Sequence, residues 1–336
     1  MAAAEGRRLF ARGPRPAKLA GKERGARGQR LTTNDQRRYT LILATDNWFS
    51  MPELPEVETV VRGLARTVVG DTIESVWLGS KPEPLKSPAS EIERTLRRAR
   101  IAAVRRMGKH IVIELDKARA KAKPRQARSK VSPAKNHAAQ FIVHLGMTGQ
   151  LLVAKPEQEV QKHTHLVAQL ASGRELRFVD PRRFGRLAVH TRNGFQAEGV
   201  EPLDVGFEIF VSLFRKRKSP IKSALLNQKL LRGVGNIYAD ESLFRAGVRP
   251  RRRAASLSRG ELRRLYDAIQ QVLNQAIAAG GSSVSDYVNA EGEPGFFQFE
   301  HRVYGREGEP CITCATSIKR VVIAGRSSHY CPRCQK

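Results

Sequence analysis

Met51-Pro52-Glu53-Leu54-Pro55-Glu56-Val57-Glu58 reads as the opening of a folded chain, although fifty residues precede it. Pro55 suits the first position of a helix and Gly70 the stop just past its end. Between them Val57, Val60, Val61, Leu64 and Val68 recur at helical spacing and form one apolar stripe. Glu53 and Glu56 fall beside the N-terminus, where the helix dipole favours acids. The chemistry of Pro52 depends on what precedes it. As an internal residue it is a tertiary amide with no nucleophilic lone pair. As a first residue, after loss of Met51, it carries a free secondary amine, and α-amino groups titrate near ~8. Such an amine attacks an aldehyde-level carbon to give an iminium directly.

Downstream the pattern changes from helix to strand. Thr72–Leu78, His110–Leu115, Phe141–His144, Leu151–Val153, His165–Leu170 and Glu175–Val179 read as strands separated by Gly, Pro and Asp. The tract 117–140 has loop composition and reads as a disordered basic insertion within a hairpin. From about residue 207 the period becomes helical again. Ser219-Pro220 opens a short helix through Leu226, and Asn236–Ala246 forms another. Ser258-x-x-Glu261 is a capping box for a long helix bearing Leu262, Leu265, Ile269, Val272 and Leu273, ending at Gly280-Gly281. The expected class is α+β multidomain, with a β-rich half, a helical half and a cysteine-bearing appendix.

The 336 residues carry a formal charge of +28. Residues 1–50 hold 11 Lys/Arg against 4 Asp/Glu, and 117–140 holds 8 Lys/Arg with no acid, so the remaining body is itself strongly basic. A basic folded body points to a polyanion, and nucleic acid is the simplest. No apolar run is long enough to span a membrane, and the N-terminus lacks a secretory core. A cytoplasmic monomer is expected, with translation beginning at Met51 and residues 1–50 a disordered extension or a start codon assigned too far upstream.

All four cysteines lie near the C-terminus, as Cys311-x2-Cys314 and Cys331-x2-Cys334 with 16 residues between the pairs. Each pair presents two thiolates to one ion, the pattern of a tetrahedral Zn2+ site. Disulfides are disfavoured because nothing signals secretion. Four protein ligands leave no open position, so the zinc is expected to be structural.

From Met51 to Lys336 the chain resembles the bacterial formamidopyrimidine-DNA glycosylases, which remove 8-oxoguanine and ring-opened purines from DNA. The resemblance rests on the MPELPEVET start, HLGMTG at His144–Gly149, DPRRFG at Asp180–Gly185, GVGNIYADE at Gly233–Glu241, VYGREGEPC at Val303–Cys311 and the cysteine pairs. It implies a catalytic β-sandwich domain with a flanking helix over 51–190, a helix–two-turn–helix domain over 191–299 and a β-hairpin zinc finger over 300–336. Damaged double-stranded DNA would lie between them.

The resemblance also implies roles for individual residues. Pro52 would be the Schiff-base nucleophile, Glu53 the proton donor and Glu56 the residue orienting them. A carboxyl suits that work if its pKa is raised towards the working pH. Lys109 would contact phosphate and donate the proton in β-elimination. Arg326, between the cysteine pairs, would clamp phosphate and serve δ-elimination. Lys222 and Asn236 would bind the damaged strand, with the amides of the helix after Gly233-Val234-Gly235-Asn236 available to phosphate. Met147, Arg182 and Phe184 would fill the gap left by a flipped base, wedging between its neighbours and reading the orphan partner. The Gly-, Pro- and Glu-rich loop Asn289–Gln298 would close over the flipped purine.

Two other readings carry different expectations. Endonuclease VIII shares fold and chemistry but removes oxidised pyrimidines; its start typically has Gly where Leu54 stands here. A chain that retained residues 1–50 would keep its clamps and zinc yet lack the amine, and would be a non-catalytic lesion-binding protein.

Overall fold

The computed structural model describes residues 51–117, 138–191 and 194–336. The tracts 1–50 and 118–137 lie outside the described residues. Helix α1 spans Leu54–Thr67, starting one residue before Pro55. The Glu56 carboxylate accepts from the Glu53 amide at 2.9 Å, which satisfies one of the amides left over at a helix start. Gly70 ends the segment in the left-handed region, φ +93, as the Pro/Gly punctuation requires.

Two four-stranded antiparallel sheets follow. The first has the order β1 (Ile73–Leu78), β6 (Thr164–Leu170), β7 (Glu175–Val179), β5 (Gln150–Ala154). The second has the order β2 (Ala99–Met107), β3 (His110–Lys117), β4 (Ala139–His144), β8 (Arg186–His190), with helix α2 (Ala89–Leu96) inserted after β1. Strands β3 and β4 pair through Leu115↔Ala139, so the basic tract does interrupt a hairpin, while Lys117, Ala139 and Gln140 at its margins are strand rather than loop. Inward residues of both sheets, among them Ile111, Phe141, Leu166 and Phe178, meet in one core with Val57, Val60 and Leu64 of α1.

The helical half comprises α3 (Phe207–Phe214), α4 (Ile221–Leu226), α5 (Asn236–Ala246) and α6 (Arg259–Ala278). The expected capping box opens α6: Ser258 Oγ accepts from the Glu261 amide at 3.2 Å, and Glu261 accepts from the Ser258 amide at 2.8 Å. This half has its own core, built on Phe210, Phe214, Tyr238, Leu265 and Val272. Leu54 belongs to that core and Val57 to the sandwich core. The first turn of α1 therefore passes from one half to the other, which places Pro52 and Glu53 at their junction.

The chain ends in a hairpin of β9 (Lys319–Ile323) and β10 (Arg326–Tyr330), in register Arg326↔Ile323. Its two-residue turn has positive φ at both Ala324 (+48) and Gly325 (+73). That is the turn whose twist matches two antiparallel strands.

Candidate active site and nucleic-acid cleft

The acid pair at the junction is buried and held by the helical half. Glu53 and Glu56 are each 2 % exposed. The first turn of α5 reaches both. The Ile237 amide donates to Glu53 Oε1 at 3.1 Å, and the Tyr238 hydroxyl donates to Glu56 Oε1 in a short hydrogen bond. The Ser282 amide adds a second donor to Glu56 Oε1 at 2.7 Å. Burial pushes the Glu53 carboxyl up to about 7, against the opposing pull of Lys109 and with help from Glu56. Burial likewise raises Glu56, opposed by the Tyr238 hydroxyl and three backbone amides. A carboxyl that is half-protonated near neutral pH can give up a proton there, as the sequence reading required.

The glycines of Gly233-Val234-Gly235 serve this packing. A Cβ on Gly235 would lie 2.2 Å from Glu53 Cδ, and one on Gly233 would lie 2.9 Å from Leu54 Cβ. The Leu54 amide donates to the Gly233 carbonyl at 3.0 Å. The sequence reading offered the amides at the start of α5 to phosphate; in the structure the Ile237 amide is taken by the protein's own carboxyl group. The physical reason is the same in both cases, since a helix N-terminus attracts whichever anion is nearest.

Beside Glu53 opens a cleft of about 400 Å³ lined by Met51, Lys109, Met147, Asn236 and Arg326, together with Ser223, Tyr304 and Ser327. Pro52 is buried, and Met51, joined to its nitrogen by a peptide bond, lines the cleft, so Pro52 has no free amine while Met51 remains. Lys109 is half-buried in the two-residue turn between β2 and β3, where Gly108 supplies φ +58. Burial lowers the Lys109 ammonium pKa and Arg326 lowers it further, while Glu53 and Glu56 oppose both. Three polar atoms on this lining, Glu53 Oε2, Asn236 Oδ1 and Ser223 Oγ, are buried without a hydrogen-bond partner. Buried polar atoms are rarely left so, and three of them cluster on residues that border this cleft.

Met147 and the loop bearing Arg182 and Phe184 belong to one unit. Asp180 is fully buried; its Oδ1 accepts from Thr148 Oγ1 at 2.6 Å and its Oδ2 from the Gly185 amide at 2.7 Å. Gly146, at φ +67, lets the two loops touch through their backbones, since a Cβ there would lie 2.5 Å from the Gly185 nitrogen. Phe184 is 52 % exposed, with the Arg182 guanidinium stacked 5.0 Å from its ring centre. An exposed aromatic with a cation on its face suits contact with bases and phosphates better than it suits a core.

Two expectations meet a different geometry. Lys222 is fully buried and does not line the cleft. Its Nζ donates to Asp240 Oδ1 at 2.5 Å and to the Ser327 carbonyl at 3.2 Å, so it ties α4 to α5 and to the hairpin. The loop Asn289–Gln298 is docked rather than free. Asn289 Oδ1 accepts from the Glu291 and Glu293 amides, Ala290 is buried in the sandwich core and Phe297 in the helical core. Phe296 is left 58 % exposed beside them.

The cysteines converge as expected. Cys311 Sγ and Cys334 Sγ are 3.8 Å apart, Cys314 Sγ and Cys331 Sγ 3.5 Å, and all four sulfurs lie within 4.8 Å of one another. A tetrahedron of Zn–S bonds near 2.3 Å has edges of about 3.8 Å, so the four thiolates fit one zinc ion with no position left for water. Sequence reasoning missed how this module is anchored. Asp240 accepts from Lys222, Ser328 Oγ and the His329 amide, and the neighbouring Glu241 accepts from the amides of Arg302, Val303 and Tyr304. Burial opposes charge on Asp240, but Lys222 and His329 hold it below the usual carboxylate range. The available signal was Asp240-Glu241-Ser242 in a helix whose other residues are mostly apolar.

The fold and cleft define a zinc-bearing helix–two-turn–helix protein with an acid pair and a lysine at the junction of its halves. Family models agree: the formamidopyrimidine-DNA glycosylase N-terminal domain matches residues 51–187, its H2TH domain 199–288, and the zinc finger found in FPG and IleRS 308–336. The chain is 43 % identical over 295 residues to a formamidopyrimidine-DNA glycosylase of Solibacter usitatus, covering 85 % of this chain and 100 % of that protein. It is 41 % identical over 297 residues to one from Desulfitobacterium hafniense, covering 85 % and 100 %. Among solved structures, Lactococcus lactis Fpg in complex with abasic-site DNA aligns with TM-score 0.73 at 31 % identity, covering 84 % of this chain and 99 % of that one. MutM (FPG) from Thermus thermophilus aligns with TM-score 0.70 at 39 % identity, covering 84 % and 98 %. The chain belongs to the formamidopyrimidine-DNA glycosylase family.

Proposed function

We propose that the chain excises oxidised purines from duplex DNA and then cuts the strand, with Pro52 as nucleophile once it is the first residue. The observation that carries this reading is the convergence of Met51, Glu53, Lys109, Met147, Asn236 and Arg326, from separate parts of the sequence, on one cleft. Family membership supports action on DNA in base excision repair. Lactococcus lactis Fpg has been solved with DNA holding Fapy-dG, as a point mutant, and with DNA holding an oxidised pyrimidine, which supports an oxidised base as the target. The domains would divide the work: 51–190 supplies the chemistry, 191–299 the grip on the strand, and 300–336 the zinc-stiffened finger.

In this mechanism the Pro52 nitrogen attacks C1′ of an extruded nucleotide. The C1′–base bond breaks and the base leaves with a proton. Glu53, with its carboxyl raised to about 7, protonates the sugar ring oxygen, and the ring opens to a Schiff base. Loss of the C2′ proton expels the 3′ phosphate, and a second elimination expels the 5′ phosphate. Water then hydrolyses the iminium and restores Pro52. Lys109 and Arg326 face the departing phosphates, and Asn236 offers its side chain to the backbone beside them. Met147, Arg182 and Phe184 would hold the duplex open where the nucleotide has left. Cys311, Cys314, Cys331 and Cys334 would hold zinc in a closed four-thiolate site, which would stiffen the hairpin that carries Arg326 and leave no open position for chemistry.

Among the described residues no helix is long and apolar enough to cross a membrane. Action on chromosomal DNA favours a cytoplasmic, nucleoid-associated protein. The test is product analysis on duplexes holding 8-oxoguanine or 5-hydroxycytosine. The reading requires faster excision of the purine and a gap bounded by phosphate on both sides. Faster excision of the pyrimidine would assign an endonuclease VIII-type activity instead.

A further inference from the structure

Tyr238 has no assigned part in this chemistry, yet its hydroxyl touches Glu56, the inner member of the acid pair. Its ring is fully buried in the helical core and packs against Phe297, with centroids 5.7 Å apart. The same helical turn carries three functions on successive residues. Asn236 lines the cleft, the Ile237 amide holds Glu53, and Tyr238 holds Glu56. Glu56 Oε2 in turn accepts from the Glu53 amide. A phenol donated to a buried carboxylate favours its charged form, and a charged Glu56 disfavours charge on its neighbour Glu53.

We infer that Tyr238 is a positioning residue for the acid pair: it keeps Glu56 ionised, so that Glu53 is the member that carries the transferable proton. The inference rests on the proposed function, in which Glu53 is the donor. The two carboxyls titrate as a pair, and the phenol decides which of them holds the shared proton. The groups facing the pair are Lys109 from the β2–β3 turn, Lys222 from α4, Tyr238 from α5 and Tyr287 after α6. The Tyr287 hydroxyl lies 3.2 Å from the Glu56 carbonyl and 3.1 Å from the Gly280 carbonyl, so its single proton goes to backbone rather than to the carboxylate. Lys109 faces both acids and lowers Glu53, which makes the asymmetry depend on Glu56 staying charged.

The experiment is the pH profile of single-turnover excision from an 8-oxoguanine:cytosine duplex, with Met51-start protein, for wild type, Tyr238→Phe, Glu56→Gln and the double variant. Phenylalanine keeps the ring and its packing. In Tyr238→Phe, Glu56 takes up a proton more readily, Glu53 loses its charged neighbour, and the alkaline limb moves down by roughly half a pH unit to one unit. In the Glu56→Gln background the same substitution moves nothing further. A uniform loss of rate with the limb unmoved, or an equal shift in both backgrounds, overturns the inference. Failure of wild type to excise at any pH would instead remove the proposed function beneath it. Circular dichroism and zinc content of Tyr238→Phe, matched to wild type, exclude misfolding; if they do not match, Ser282→Pro takes its place, since it deletes the other donor to Glu56 Oε1 and must shift the limb in the same direction.

Discussion

A Cβ on Gly235 would stand 2.2 Å from the Cδ of Glu53. A glycine from the helical half thus sets the position of the acid in the sandwich half. Gly235→Ala is expected to displace the Glu53 carboxyl and lower excision by roughly 100-fold or more, the scale of a lost general acid. Zinc content should stay at one equivalent. Single-turnover kinetics beside metal analysis checks both.

Glu53 also strains the fold. Its carboxyl is raised from 4.5 to about 7 by burial, so its contribution to stability is full below about 4.5 and is lost as pH rises through about 7. Above that range the cost approaches about 3 kcal/mol. Glu53→Gln should therefore be inactive yet more heat-stable than wild type at pH 8, with the advantage shrinking towards pH 5. Thermal unfolding at the two pH values measures it; an advantage that grows at low pH would contradict the assignment.

Much of this was legible because its signals are local. The α1 stripe, the Ser258–Glu261 capping box, the strand runs and the two cysteine pairs are each set by residues a few positions apart. What could not be read depends on partners far along the chain. Tyr238 meets Glu56, Asp240 meets Ser328, and Glu241 meets Tyr304, each across 60 residues or more. Lys222 shows what local sequence leaves open: its side chain is sealed between α5 and the hairpin rather than lining the cleft. Within the strand-rich 71–190 span, β2 and β8 show no clean alternation, because Arg and Ala break up their apolar pattern.

That buried lysine makes its own prediction. Asp240→Ala leaves the Lys222 ammonium without its partner in a fully buried site, and breaking such pairs costs about 3–5 kcal/mol. Replacing both residues with apolar ones of similar size, as in Lys222→Met with Asp240→Leu, should recover only the part due to the stranded ammonium, because the buried Ser328 hydroxyl and His329 amide still lose their acceptor. Denaturant unfolding of the single and double variants tests the coupling.

Removing zinc should loosen the β9–β10 hairpin and withdraw Arg326 from the cleft. Chelation is expected to weaken binding to lesion duplex by roughly 10- to 100-fold, the loss of one or two charge-assisted contacts. The sandwich has its own core and should keep its strand signal in circular dichroism. Loss of that signal on chelation would mean the zinc module supports the whole fold.

The central claim is that Pro52 acts as a free amine, and borohydride trapping on an 8-oxoguanine:cytosine duplex tests it most directly. Protein begun at Met51 and protein begun at Met1 would be compared, with intact mass fixing each N-terminus. A covalent adduct, mapped to Pro52, is expected only where Pro52 is the first residue. An adduct formed by a chain that still carries residues 1–51 would contradict it and move the nucleophile to a lysine.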